Sequence, residues 1–213
     1  AGLSPKAYTD ALGEGIVRAN AKTGIEARMI VTGVRHAGVA AVEEAARFAA
    51  KRGHSLVTGF GLAGDERIGD FEDFVRAFEI AREAGLGITV HAGELTGWET
   101  VKAALDQIRP ARIGHGVRAI ENPDLVKRIA DEGVVLECCP SSNVALRIFE
   151  SFAQHPFRDL YKAKCRITLN SDDPPYFSTS LQQEYDVAAR HLGLTDTELA
   201  SVTKTAVESA FVD

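Results

Sequence analysis

The sequence has few of the features that mark an exported, membrane-bound or nucleic-acid-binding protein. Its three cysteines include the adjacent pair Cys138 and Cys139, which is a poor basis for disulfide bonds and indicates a reducing compartment. No apolar run approaches the roughly 20 residues that cross a bilayer, and the first residues lack a basic segment followed by an apolar core. The net charge is −6 and no Lys/Arg cluster is present, which argues against binding to many phosphates. We therefore predict a cytoplasmic protein with a small-molecule partner, no nucleic acid and no membrane.

Strand and helix signals alternate along the chain, which indicates βα units around a parallel sheet. Short apolar runs rich in Val and Ile, typical of buried parallel strands, occur at 28–34, 55–61, 87–91, 111–115, 134–138 and 166–170. Helical patterns occupy about 5–20, 40–52, 70–84, 97–108, 122–132, 157–164, 180–192 and 195–210. A TIM barrel has eight such units in typically about 250 residues. We therefore predict an α/β fold that comprises six of the eight βα units of a (β/α)8 barrel.

The alternative fold is a doubly wound open sheet, but the first strand is not followed by the Gly-x-Gly-x-x-Gly turn that favours dinucleotide binding. No linker, repeat or shift in composition divides the chain. The only methionine is Met29, and the chain stops soon after its last helical pattern. We expect residues 1–213 to form a single barrel domain, shortened at its N-terminus and slightly at its C-terminus.

Polar residues follow the predicted strands at the ends where barrels carry their chemistry. A histidine at one strand end is more often structural than a ligand, but His91 and His115 follow consecutive strands, which favours metal binding or acid–base work. Asp172 and Asp173 could simply cap a helix, although Pro174 keeps Asp173 extended and lets both carboxylates face one mouth. The ends that converge are 64–66, 91–94, 114–116, 140–143 and 171–174.

The remaining histidines and aromatic residues carry less weight. His36 is a weaker candidate for the rim of the site, whereas His54, His155 and His191 are interpreted as structural. Trp98 and the apolar stripe of 71–80 are interpreted as helix packing.

Four motifs occur in a characteristic order: LAGDE at 62–66, HAGE at 91–94, GHG at 114–116 and NSDDP at 170–174. Together they resemble the adenosine deaminase family of the amidohydrolase superfamily, from about Leu56 to the end and more loosely before. The resemblance implies a zinc-dependent hydrolysis of adenosine and 2′-deoxyadenosine to the inosine product and ammonia, in purine salvage. The implied partner is a purine nucleoside, and the implied cofactor is one Zn²⁺ per chain.

The resemblance also implies a role for each site residue. His91 and Asp172 correspond to zinc ligands, and zinc lowers the pKa of bound water toward ~7. His115 corresponds to the group that orients this water, takes its proton and stabilises the developing oxyanion. Glu94 corresponds to the acid that protonates ring N1, so burial has to raise its pKa from about 4.3.

Two further residues resemble those that read the purine. Asp173 corresponds to the partner of N7, and the Gly64 backbone N–H corresponds to the donor to N3, where a side chain would keep the base away.

The family's His-x-His zinc pair is absent from the sequence, so we expect poor zinc affinity and an inactive isolated chain. A non-catalytic purine-binding protein is therefore an open alternative, as is an aminohydrolase that acts on adenine, AMP or a modified adenosine. Related adenine deaminases usually carry Asp-His-Gly, so Gly114, together with Ser141, favours adenosine. Cytidine-deaminase-type chemistry is set aside because neither His-x-Glu nor Pro-Cys-x-x-Cys occurs.

Overall fold

A computed structural model describes residues 2–212 of the chain. The six strands follow one another in the sheet in the order β1-β2-β3-β4-β5-β6, and the pairs β1–β2, β4–β5 and β5–β6 are parallel. This order confirms the predicted α/β fold with six βα units of a barrel. The strands are β1 (Met29–Val34), β2 (Val57–Ala63), β3 (Gly87–Ala92), β4 (Arg112–His115), β5 (Val135–Cys138) and β6 (Arg166–Leu169).

Helices follow the strands as the alternation predicts. Within the described residues, no helix combines the length and apolar character that crossing a membrane requires. The helices are α1 (Pro5–Thr23), α2 (Val39–Ala50), α3 (Phe71–Glu83), α4 (Trp98–Ala103), α5 (Pro123–Glu132), α6 (Pro140–Ala145), α7 (Phe157–Lys162), α8 (Pro174–Phe177), α9 (Leu181–Arg190) and α10 (Asp196–Glu208). Short 3-10 turns cover Arg35–Ala37, Val117–Glu121 and Phe152–Gln154.

Several helices begin where their side chains supply the capping groups. Asp70 and Thr195 each form a capping box at the start of α3 and α10, which satisfies backbone N–H groups that have no partner in the first turn. The Asn122 side chain accepts from the backbone N–H groups of Asp124 and Leu125, and proline occupies the first helical position of α5.

Two local features differ in detail from the predictions. The helix predicted over 97–108 is α-helical only to Ala103 and continues as a π-helical turn over Ala104–Ile108, which ends at Arg109 in a left-handed conformation. Pro110 disfavours the α conformation at Arg109, so the helix ends there. The segment after β5, predicted as a strand end and loop, forms α6, because Pro140 is pre-set for a first helical turn.

The described residues group into two compact units. The first lies within Ala1–Gly64, Ile68–Thr89 and Phe211–Asp213, and the second comprises Asp65–Arg67 and Val90–Ala210. That 1–213 form a single domain stays a prediction.

The first unit packs α2 and α3 with β1 and β2. Phe60 of β2 meets Phe78 of α3 edge-on, with ring centroids 5.4 Å apart. A groove of about 790 Å³ lies between α1, β1 and α2, and Ile30 is 36% exposed there. β1 is thus buried less completely than a parallel strand usually is.

A buried arginine organises the loop before α3 in the first unit. Arg35 is only 2% exposed, and its guanidinium carbon lies 4.5 Å from the ring centroid of Phe71 and 5.5 Å from that of Phe74. Its Nη1 donates to the Gly69 carbonyl at 3.0 Å. The planar cation therefore combines stacking on aromatic faces with directed hydrogen bonds.

The second unit holds β4, β5, β6 and the helices that follow them. Arg112 of β4 pairs with Glu137 of β5 (Nε to Oε1, 2.8 Å), and its Nη1 donates to the Ser209 carbonyl at 2.7 Å. These contacts attach the end of α10 to the strands.

We expect Arg35→Lys to lower the free energy of unfolding by about 1–3 kcal/mol, because an ammonium group cannot stack on the rings and reach the Gly69 carbonyl together. Urea denaturation of both proteins measures the difference. The matched control is Arg47→Lys on α2, whose pairing with Glu43 is exposed and whose loss we expect to cost within about 0.5 kcal/mol. Equal stability of the Arg35 variant and the parent would contradict this account.

Candidate active site

Four of the residues predicted to carry chemistry lie together in the second unit. His91 belongs to β3, His115 is the last residue of β4, and their ring centroids are 5.0 Å apart. Glu94 Oε1 lies 3.4 Å from His115 Nδ1, and Asp172 Oδ2 lies 3.8 Å from His115 Nε2. The strand ends therefore bring these side chains together around His115.

Two of these residues have strained backbones. His115 has a φ of 62° and Asp172 has a φ of 52°, so both occupy the left-handed region that residues other than glycine rarely adopt. Such a conformation costs about 1–3 kcal/mol and persists where the surroundings enforce it, often at functional sites.

Glu94 carries a buried carboxyl group. It is 7% exposed, and its Oε1 accepts a hydrogen bond from Asn143 Nδ2 at 2.9 Å. Burial, followed by the negative charges of Asp172 and Glu66, raises the pKa of Glu94 from 4.5 to about 8. The carboxyl group is therefore mostly protonated at neutral pH, as a proton donor requires.

Glu66 supports the segment that carries Glu94. Its carboxylate accepts from the backbone N–H of Glu94 at 3.1 and 3.2 Å, from that of Thr96 at 3.1 Å and from the Thr96 hydroxyl at 2.6 Å. Glu66 is part of the LAGDE motif but had no predicted role. Its negative charge contributes to the raised pKa of Glu94.

His115 is almost fully enclosed, at 2% exposure. Burial, followed by the neighbouring His91 and His155, holds its pKa well below 6.5, so the ring is neutral at pH 7. Its Nδ1 lies 3.2 Å from Asn143 Nδ2. Asp172, on the other side of the ring, accepts a hydrogen bond from the Ser142 hydroxyl at 2.6 Å.

Asn143 was predicted to lie at a converging strand end but had no role, and His155 was interpreted as structural, yet both side chains contribute to the site. Asn143, on α6, is fully buried, and His155 is 5% exposed. His155 Nε2 lies 3.1 Å from Asn143 Oδ1. The only signal in the sequence was the polar segment after β5, because nothing in it shows that the loop carrying His155 returns to that segment.

A group of donor atoms in this region suits a metal ion. One atom each from His115, Cys139 and Asp172 lie within 4.8 Å of one another. Imidazole nitrogen, thiolate sulfur and carboxylate oxygen are all ligands of Zn²⁺ and related ions. Burial, followed by the charge of Asp172, holds the pKa of the Cys139 thiol well above its usual value, so only a bound metal would deprotonate it. The predicted ligand pair, His91 and Asp172, shares Asp172 with this group.

The two residues predicted to read the purine lie at the edges of this arrangement or outside it. Asp173 is exposed and precedes α8, whereas Asp172 is partly buried. Gly64 belongs to the first unit and has a φ of 96°; a Cβ there would lie 3.2 Å from His36 Nδ1. The roles of Asp173 and Gly64 toward a base stay predictions.

The raised pKa of Glu94 predicts how its neutral substitute behaves. The stability contributed by the neutral carboxyl is fully present below pH ~4.5 and is lost as pH rises through about 8, since the folded state holds the proton more tightly. Glu94→Gln stays neutral, so we expect it to exceed the parent in free energy of unfolding above pH 8, by a few kcal/mol at most.

Urea denaturation at about pH 5, 7 and 9 measures this difference. Glu99→Gln, at an exposed position of α4, is the matched control and should show no such trend. A stability difference between Glu94→Gln and the parent that does not change with pH would show that Glu94 titrates normally.

Known proteins share both the sequence and the fold. The chain is 75% identical over 213 residues to an adenine deaminase of Mesorhizobium japonicum. The match covers 100% of this chain and 66% of that relative. The crystal structure of adenine deaminase from Arthrobacter aurescens superposes with a TM-score of 0.93 at 27% identity, over 100% of this chain and 64% of that one. The crystal structure of an amidohydrolase from Burkhoderia ambifaria with bound zinc superposes with a TM-score of 0.92 at 27% identity. That match covers 100% of this chain and 59% of the other. The chain thus spans about two-thirds of the length of its curated relative.

The predicted preference for adenosine is wrong, because these similar proteins are adenine deaminases. The physical reason lies in Gly114, which was interpreted as a substrate signal. A Cβ at Gly114 would lie 2.8 Å from His91 Nδ1, so this glycine makes room for the His91 ring and does not report on the substrate.

The comparisons are consistent along the whole sequence. The family model described as adenosine deaminase matches residues 1–213. The six-stranded α/β sheet and the cluster around His115 agree with this match. The chain belongs to the adenosine deaminase family of hydrolytic deaminases.

Proposed function

We propose that the protein catalyses the zinc-dependent hydrolytic deamination of adenine to hypoxanthine and ammonia. The observation that carries this proposal is the buried, mostly protonated Glu94 next to a neutral His115. A protonated carboxyl and a neutral imidazole are what the addition of water to a purine ring requires. The names of the similar proteins support adenine as the substrate.

In this proposal Glu94 protonates the ring nitrogen next to the amino-bearing carbon. As the proton of Glu94 passes to the ring nitrogen, the oxygen of water bonds to that carbon, and one proton of the water is returned to the Glu94 carboxylate. The other proton passes from the new hydroxyl group to the amino group, the bond between carbon and the amino nitrogen breaks, ammonia leaves, and the C=O bond of hypoxanthine forms. The carboxyl donates effectively because its pKa of about 8 lies near neutral pH. Protonation of the ring prevents negative charge from accumulating there during the attack.

His91 and Asp172 would hold the metal, and zinc is proposed because the similar Burkhoderia ambifaria amidohydrolase has bound zinc. When bound, the ion supplies a nucleophile by lowering the pKa of water toward ~7. Asp172 is oriented by the Ser142 hydroxyl, which fixes one of its oxygens. His115 lies beside Asp172 and would orient the attacking oxygen and stabilise its charge.

Protein that is expressed at the full length of its relatives and purified should convert adenine faster than adenosine, AMP or N6-methyl-AMP, as measured by kcat/KM for the four substrates. Asp172→Ala should lower both bound zinc and kcat/KM for adenine by about 100-fold or more, because it removes a metal ligand. Asp186→Ala, at an exposed position of α9, should change neither. Unchanged turnover in Asp172→Ala would refute the metal role, and adenine binding without turnover in the parent would favour a purine-binding protein.

The pH dependence follows from the protonated form of Glu94. We expect kcat/KM for adenine to fall about tenfold per pH unit above pH 8, because only the protonated carboxyl donates and it is lost as pH rises through its pKa of about 8. Glu94→Gln should lower kcat by about 10²–10⁴-fold. Glu99→Gln should leave both kcat and the profile unchanged. Near-normal turnover in Glu94→Gln would show that the proton comes from another group.

A further inference from the structure

We propose that Asn143 and His155 are positioning residues that determine which nitrogen of His115 and which oxygen of Glu94 carry a proton. Both side chains are buried, and neither belongs to the group of His115, Cys139 and Asp172 that suits a metal ion. A chain of hydrogen bonds runs through them from the backbone N–H of Phe157, the first residue of α7, to Glu94 and His115. Its catalytic consequence rests on the proposed function, but the proton positions themselves do not.

The chain begins at a backbone donor whose direction is unambiguous. The N–H of Phe157 donates to His155 Nδ1 at 3.2 Å, so this nitrogen presents a lone pair. Burial lowers the pKa of His155 to about 4, so the ring is neutral at pH 7. A neutral ring with a bare Nδ1 carries its single hydrogen on Nε2.

His155 then fixes the orientation of the Asn143 amide. Its Nε2–H lies 3.1 Å from the amide atom assigned as Oδ1, and only an oxygen can accept this hydrogen. Asn143 is fully buried, so no solvent competes for the carbonyl group. The NH₂ group must therefore face the site.

The two hydrogens of this NH₂ group have two acceptors. Nδ2 lies 2.9 Å from Glu94 Oε1 and 3.2 Å from His115 Nδ1. Because the amide nitrogen only donates, His115 Nδ1 must be bare and its hydrogen must sit on Nε2. For the same reason, Oε1 of Glu94 accepts this hydrogen bond, which leaves Oε2 as the oxygen that can carry a proton.

These positions define what each group can do. His115 Nε2 lies 3.8 Å from Asp172 Oδ2. With a hydrogen on this nitrogen, the ring can donate a hydrogen bond on the side of Asp172 but cannot accept a proton there. His115 thereby acts as a donor to the attacking oxygen, and the role as proton acceptor expected from the sequence would require the other tautomer. Glu94 Oε2–H is the hydrogen available to the ring nitrogen.

Long-range ¹H–¹⁵N correlation spectra of the native protein with labelled histidine test the proposal directly. We expect His155 and His115 both to show a protonated Nε2 and a bare Nδ1, with or without substrate. A protonated Nδ1 on His115 would overturn the proposal whatever the enzyme does with adenine. This measurement needs no variant to fold, and it can succeed even if adenine is not the substrate.

Variants of His155 show whether the chain acts on catalysis. In His155→Phe the Asn143 carbonyl loses its hydrogen-bond donor, so we expect a mixture of His115 tautomers. We also expect kcat for adenine to fall about 10- to 100-fold while KM stays within twofold, because the variant loses an orienting partner. His155→Gln keeps an N–H donor and should restore both the single tautomer and most of kcat.

The matched control is His191→Phe, which removes an exposed histidine stacked on Phe152. It should leave the His115 signals and kcat unchanged. An unaltered His115 spectrum in folded His155→Phe would overturn the proposal, as would a loss of kcat in His155→Gln as large as that in His155→Phe.

Discussion

The burial of the Glu94 carboxyl is the constraint on which the rest of the site depends. A carboxyl group removed from water beside the negative charges of Asp172 and Glu66 is stable only with a proton, so its surroundings select the acid form. Glu66 both holds the backbone of Glu94 and repels its charge. Glu94 is thus anchored by a second buried acid, Glu66, which accepts several N–H and O–H groups, whereas the Glu94 carboxyl accepts one.

The site also departs from relaxed backbone geometry at the residues that matter most. His115 and Asp172 adopt left-handed conformations, and both lie beyond or at the ends of short parallel strands. The sheet supports this strain because β4, which ends at His115, lies between β3 and β5, and β6, which precedes Asp172, pairs with β5. The cost in stability, about 1–3 kcal/mol per residue, is characteristic of functional sites.

The sequence predicted the features that depend on local chemistry. The alternation of apolar runs with helical patterns located the strands and the longer helices. The proximity of His91, His115 and Asp172 followed from parallel strand direction alone.

Features that depend on long-range packing could not be predicted in this way. His155 is 12 residues from Asn143, and their contact depends on how the intervening loop folds back. The π-helical turn of 104–108 depends on the close packing of that helix. Gly114 was misread because its small size serves the His91 ring, a neighbour that only the folded structure reveals.

The short helix α6 contacts both the proposed metal ligand Asp172 and the proposed proton donor Glu94. Ser142 orients Asp172, and the next residue, Asn143, contacts Glu94 and His115. In the proposed function, these neighbouring positions on one turn serve the metal side and the proton side, so a shift of that turn would disturb both. We therefore expect substitutions on the two sides to be coupled in energy rather than additive, so that the proposed reaction would constrain sequence change in α6 even at residues that touch no substrate.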